Sequence, residues 1–319
     1  MEELLNFNKD IEDEFEVEEI KINLPSKGHI SGKWWGDKSI RPIVCFAGWQ
    51  DNAGTFDRLI PLLPREFSYL AIDLPGHGRS SWLPSKMIYH SFTYLYIIDL
   101  LLKEYKWEKI SIIAHSLSSR LLFLYSAIFP DKVDIAIGFD NLKPLTLESN
   151  QEFASIRFTL DGMTIINERS QESDENPPAY TIDEMIKRIY IGSQKSVTIE
   201  CAKYLLKRNI QPSRKYPGKF TFSRDNRLKY STFPYFPHED CLLMAKRITM
   251  PYLFITASGT PEYEKSKYTT EVIETMLMNP NFEYHMVDSN SHHFHLIEPE
   301  KIVEIVGNFI RKHRSKAHL

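Results

Sequence analysis

The chain has little cysteine: three in 319 residues, Cys45, Cys201 and Cys241, an odd count with neither C-x-x-C nor metal-ligand spacing. This excludes a disulfide-stapled scaffold and fits reduced thiols in an intracellular protein. Charge of one sign is also lacking. The formal net charge is −3 and the pI about 6.4, so no global field draws the protein to nucleic acid or to an acidic membrane. No apolar run approaches the roughly 18 residues of a membrane-spanning helix, and there is no internal repeat or low-complexity tract. The acidic N-terminal stretch, with Lys9 as the one base among residues 1–20, has the wrong charge for a secretory or mitochondrial presequence.

A core is well provided for. Hydrophobic residues make up 42% of the chain and aromatics 13%, and the length suits one large domain or two modest ones. Short apolar runs alternate with helical patterns between residues 42 and 140: 41–48, 69–73, 110–114 and 133–139 read as strands, and Thr55–Leu63, Phe92–Trp107 and Leu117–Phe129 as helices. Continuous apolar strands separated by helices imply a parallel sheet covered on both faces. Upstream, 16–24 and 30–35 alternate as an antiparallel edge would. After Pro144 the pattern changes, with helical segments at 182–190 and 196–208 and a Pro- and aromatic-rich stretch up to Pro237. Strand–helix order resumes at 252–257 and 282–287. The expected organisation is an α/β core (1–143 and 247–319) interrupted by an insertion (144–246).

Ala114-His115-Ser116-Leu117-Ser118 is a relaxed G-x-S-x-G nucleophile elbow, placed where an apolar strand meets a helix. Such a turn projects the serine hydroxyl above the sheet edge and requires small residues two positions either side. The helix start sets N–H groups beside Ser116, where an oxyanion can be held. His292, in Ser291-His292-His293-Phe294-His295, follows the last strand and is the expected general base. His292, His293 and His295 are also potential metal ligands, but no cysteine or nearby carboxylate completes a set, so no metal is assigned. Asp140, after the fourth of these strands, is the favoured third member because it lies at a strand's carboxyl end; Glu262 and Glu264 are the alternatives. The order Ser116, Asp140, His292 is that of α/β-hydrolases. The Trp49 and Leu117 amides are the candidate oxyanion hole. Asp73-Leu74-Pro75-Gly76-His77-Gly78 superficially suggests a dinucleotide fingerprint but lacks the third glycine and the immediate helix, so no cofactor is expected and the turn is read as shaping the rim of a cleft.

With these residues assembled, the chain resembles the α/β-hydrolase superfamily, and within it the animal serine hydrolase-like proteins. The resemblance rests on residues 48–57 (GWQDNAGTFD), 71–81 (AIDLPGHGRSS), His115-Ser116-Leu117 and 222–228 (FSRDNRL), and it spans roughly residues 16–313. It implies an eight-stranded, mostly parallel sheet with helices on both faces and a helical cap inserted between strands six and seven. It also implies a Ser–Asp–His triad that hydrolyses carboxyl esters or thioesters. The sequence departs from the family pattern at Ala47, where a histidine usually precedes the oxyanion-loop glycine. It departs again at the elbow, which usually reads Gly-His-Ser-Leu-Gly-Gly. The commonest superfamily acid position is occupied by about Thr260. An alternative on the same scaffold is a catalytically weak protein that binds a small apolar ligand under its cap.

The insertion is basic over 203–229, with nine Lys and Arg against Asp225. One reading is a docking surface for a phosphate-bearing thioester substrate; the other is a solvated face with Arg224, Asp225 and Arg227 in a structural ion-pair network. Its aromatics, Phe233 among them, suit an apolar acyl pocket or simply pack the cap. The terminal Ala317-His318-Leu319 resembles the peroxisomal S-K-L signal, so peroxisomal import through that receptor is the expectation.

Overall fold

The computed structural model describes residues 16–25, 28–146, 149–173, 177–230, 235–260 and 266–314. Phe233, Glu262, Glu264 and Ala317-His318-Leu319 lie outside the described residues. The sheet is built from β1 (Val17–Asn23), β2 (His29–Trp35), β3 (Ile43–Phe46), β4 (Tyr69–Ile72), β5 (Ile110–His115), β6 (Val133–Phe139), β9 (Tyr252–Ala257) and β10 (Phe282–Val287). β7 (Gln211–Pro212) and β8 (Phe220–Thr221) form a separate two-stranded ribbon. The eight strands run in the order β1-β2-β4-β3-β5-β6-β9-β10. β2 pairs antiparallel with both β1 and β4, and the remaining pairs are parallel. The antiparallel edge and parallel centre therefore match the sequence reading.

Why the central strands read as continuous apolar runs is plain from their two faces. Val44, Phe46, Leu70, Ile72, Ile112 and Ala114 point into one core, closed by helices Ser91–Glu104 and Leu117–Ile128. Ile43, Cys45, Tyr69, Ala71 and Ile113 point into the other, closed by helix Val303–His313. A strand buried on both faces has no polar side to alternate with.

The expected helix at Thr55–Leu63 is instead two 3-10 turns, Ala53–Phe56 and Ile60–Leu62. Asn52 caps the first through its side chain, and Pro61, lacking an N–H, prevents one helix from running through both. Between β6 and β9 lie helices Ser149–Ser173, Ile182–Gly192 and Ile199–Leu206, the β7–β8 ribbon and helix His238–Arg247. The sequence reading missed the first of these, because Phe153, Ile156, Phe158 and Leu160 on it are exposed and form no buried stripe. The last packs Cys241 and Ala245 into the core and contacts Leu117–Ile128.

Candidate active site

Three strand ends converge at one rim of the sheet. β5 ends at His115 and the next helix opens at Leu117, leaving Ser116 at φ 55°, ψ −117°. That left-handed backbone is costly for a residue with a Cβ and survives only where its surroundings fix it. Here the Ser116 N–H donates to the Phe139 carbonyl at 3.0 Å. The loop after β3 passes close by: a Cβ on Gly48 would stand 3.1 Å from Ser116 Cβ and 3.0 Å from His115 Nδ1, so any larger residue there would have to push the nucleophile turn back by a few tenths of an ångström.

His292 and Asp140 are brought to the same place. His292 Nε2 lies 2.7 Å from Ser116 Oγ, and its Nδ1 is hydrogen-bonded to Asp140 Oδ2. Asp140 sits just beyond β6, also with positive φ (67°), and its N–H donates to the Ile255 carbonyl at 2.8 Å. Its second oxygen accepts from Thr256 Oγ1 at 3.2 Å, Thr260 Oγ1 at 3.1 Å and the Ala257 N–H at 3.3 Å. Burial pushes the Asp140 carboxyl up, but the hydrogen bond and charge of His292, with the Ala257 amide, outweigh it and hold the group below its ordinary value. Thr260, at the position where the family resemblance puts the commoner acid, has become a donor to the acid that is present.

Side chains that the sequence reading gave no role complete the surroundings. Asn141 Nδ2 donates to Ser116 Oγ at 3.4 Å and is itself held by Arg120 Nη2, 2.6 Å from its Oδ1. The His115 Nε2–H donates to the His292 carbonyl at 2.9 Å. Burial drives the His115 pKa down to about 3, so the ring is neutral. His293 and His295 are buried beside it, and burial lowers both. None of these contacts has a local signal, since each joins segments far apart in the chain.

The oxyanion candidates occupy the expected elements. Leu117 opens a helix that no side chain caps, and its first-turn N–H groups have no intrahelical acceptor. Trp49 is anchored by its Nε1–H donating to the Leu228 carbonyl at 2.7 Å. The next amide, Gln50 N–H, donates to His77 Nε2 at 3.0 Å, while the His77 Nδ1–H donates to the Pro75 carbonyl at 3.0 Å. Burial lowers the His77 pKa to about 4, more than the Pro75 carbonyl and Asp73 raise it. The glycine-rich turn thus braces the oxyanion loop. Its Asp73 accepts from the Ala53 and Arg79 amides, each at 2.8 Å, and pairs with buried Arg208 at 2.8 Å.

The alpha/beta hydrolase fold family matches this chain over residues 41–162. Among solved structures, the thioesterase domain from the curacin biosynthetic pathway superposes with a TM-score of 0.71 at 20% identity, covering 91% of this chain and 99% of that one. An esterase of Mycobacterium tuberculosis does so with a TM-score of 0.67 at 16% identity, covering 96% and 98%. At such identities the likeness speaks for the fold: an α/β-hydrolase. A "Probable serine hydrolase" of Drosophila melanogaster is 34% identical over 296 residues, 92% of this chain and 88% of that protein. The human "Serine hydrolase-like protein 2" is 28% identical over 92% of this chain and 94% of its own. The chain belongs to the serine hydrolase-like family of α/β-hydrolases.

Proposed function

We propose that the chain is a serine hydrolase that cleaves carboxyl esters or acyl thioesters through an acyl-enzyme on Ser116. The observation that carries this reading is the imidazole of His292 standing between Ser116 Oγ and the Asp140 carboxylate. Ser116 Oγ attacks the acyl carbonyl carbon as its proton passes to His292 Nε2. Asp140 fixes the tautomer that leaves Nε2 free to accept, and stabilises the imidazolium that forms. The Leu117 and Trp49 amides stabilise the oxyanion of the tetrahedral intermediate. Its collapse breaks the acyl–oxygen or acyl–sulfur bond, and His292 returns the proton to the leaving alcohol or thiol. A water molecule then repeats the sequence on the acyl-enzyme and frees Ser116 with release of the acid.

The thioesterase and esterase neighbours are consistent with either leaving group. Of the basic residues in the insertion, Arg208 and Arg227 are buried in ion pairs with Asp73 and Asp225. This supports the structural reading for Arg227 and Asp225, whereas Arg224 hydrogen-bonds the Gln50 side chain instead; Arg214, Lys215 and Lys219 stay exposed and carry the anionic-substrate reading. A fluorophosphonate probe tests the proposal. Wild type should be labelled covalently and Ser116→Ala should not; a folded wild type that stays unlabelled overturns the enzyme in favour of the weak ligand binder.

A further inference from the structure

Asp51, His115 and His293 come from three separate segments, the loop after β3, the end of β5 and the loop after β10, and all three are buried. Asp51 Oδ2 lies 3.8 Å from His115 Nδ1 and 3.7 Å from His293 Nε2, and the three atoms fall within 4.8 Å of one another. Their outer hydrogen bonds decide where the protons are. His115 Nε2 faces the His292 carbonyl, an acceptor, so it carries the ring hydrogen and Nδ1 is a lone pair. The Ser196 hydroxyl donates to the Ser193 carbonyl at 2.6 Å, so at 2.8 Å it accepts from His293 Nδ1, and Nε2 is left as a lone pair. Asp51 Oδ1 takes the Asn52 N–H at 2.7 Å. Thr55 also hydrogen-bonds the Asp51 carboxylate, yet Asp51 Oδ2 and His115 Nδ1 are buried with no hydrogen-bond partner among the described residues.

Burial pushes the Asp51 carboxyl up, but with that group ionised, as a bound cation would hold it, three electron-pair donors face one another with no hydrogen between them. A water offers two hydrogens to three acceptors; a cation satisfies all three. We propose that Asp51, His115 and His293 form a binding site for one divalent transition-metal ion. Two neutral imidazoles and a carboxylate suit zinc, cobalt or nickel far better than calcium or magnesium. Tetrahedral bonds of about 2.0–2.1 Å place ligand atoms roughly 3.4 Å apart, so on binding the two Asp51 edges close by a few tenths of an ångström and the edge between the two imidazole nitrogens, within 4.8 Å here, closes by up to about 1.4 Å through a shift of the His293 loop. The outer partners already present, the His292 carbonyl and the Ser196 hydroxyl, are the acceptors that orient metal-bound histidines. The ion contacts neither Ser116 nor Asp140. It ties the loop carrying Trp49, the strand leading to Ser116 and the loop carrying His292 to one point. The histidine-rich loop alone lacks a carboxylate; the fold supplies one from residue 51.

The test uses chelator-treated full-length protein titrated with Zn2+ by calorimetry and with Co2+ by its visible d–d absorption. The expected result is one ion per chain, a Co2+ band, and a thermal midpoint that rises with Zn2+ concentration. Asp51→Asn and His293→Gln should each weaken Zn2+ at least ~100-fold, losing a direct ligand rather than an outer one. His292→Ala should keep both the affinity and the band. Absence of saturable binding, or Asp51→Asn and His293→Gln binding as tightly as wild type, overturns the proposal. So does loss of binding in His292→Ala, which would put the ion on the triad. Circular dichroism identifies a variant that does not fold, and the other ligand variant then decides.

Discussion

The Ser118 hydroxyl donates to the Ala47 carbonyl at 2.5 Å, joining the helix behind the nucleophile to the strand end that leads into the oxyanion loop. These are two of the positions at which the sequence departs from the family pattern, and the departures touch. Where the family usually carries histidine and glycine, this chain has a small residue and a hydroxyl that reaches its carbonyl.

Ser118→Gly restores the usual elbow residue but removes that bond. It should destabilise the protein by about 1 kcal/mol for the lost buried hydrogen bond. If the bond holds the oxyanion loop, kcat on a small ester should fall about tenfold with KM little changed, a fraction of what losing a whole oxyanion donor costs. Steady-state kinetics with urea unfolding separates the two effects. An unchanged kcat would mean that the Gln50–His77 and Trp49–Leu228 bonds suffice to hold the loop.

Asp140→Asn keeps the size of the group but removes the charge facing His292 Nδ1. An amide there presents either an oxygen without charge or an N–H aimed at the ring, which favours the wrong tautomer. A fall in kcat of around 10⁴ is expected, as for triads generally. Thr260→Val, which deletes one of the donors to the other carboxylate oxygen, should cost nearer tenfold and leave fluorophosphonate labelling detectable. Equal activity of Asp140→Asn and wild type would shift the acid role elsewhere.

Stability should decline in mild acid, and His77 gives the sign. Burial depresses its folded-state pKa to about 4 from an ordinary 6.5, so between those values the unfolded chain binds the proton and the native state does not. Its contribution is complete above pH 6.5 and is lost as pH falls toward 4, by roughly 3 kcal/mol at most at about 1.4 kcal/mol per pH unit. Urea unfolding at pH 7, 6 and 5 should show this slope, and His77→Gln should reduce it by close to one proton. A variant with the wild-type slope would mean that His77 titrates normally.

Ser116 and Asp140 were legible because each stands where an apolar strand stops, His292 because its loop follows the last strand, and their chain order restricts what such a sheet can do with them. The strands were legible because burial on two faces leaves β3, β4 and β5 almost wholly apolar, with Ser111 and the terminal His115 as the exceptions in β5. What was not legible depends on contacts across the chain. Nothing local to His293 announces Asp51, and nothing local to Asn141 announces that Arg120 will hold it. The 3-10 turns at 53–62 arise from Pro61 overriding an apolar periodicity that on its own suits a helix. Helix Ser149–Ser173 escaped because amphipathic pattern reading finds helices that bury a stripe, and much of this one's apolar surface is exposed.

Arg208 has a consequence for how ligands reach the nucleophile. It follows helix Ile199–Leu206, is buried, and is clamped to Asp73 at the end of β4, while Asn52 Nδ2 grips the Leu205 carbonyl at 2.9 Å. This end of the insertion is riveted to the sheet and shares its cooperative unit, so amide hydrogens around Asn209 should exchange on the timescale of global unfolding. Entry and egress here then depend on side-chain rotation, since a rigid swing of the insertion would have to pull a paired guanidinium out of the protein interior.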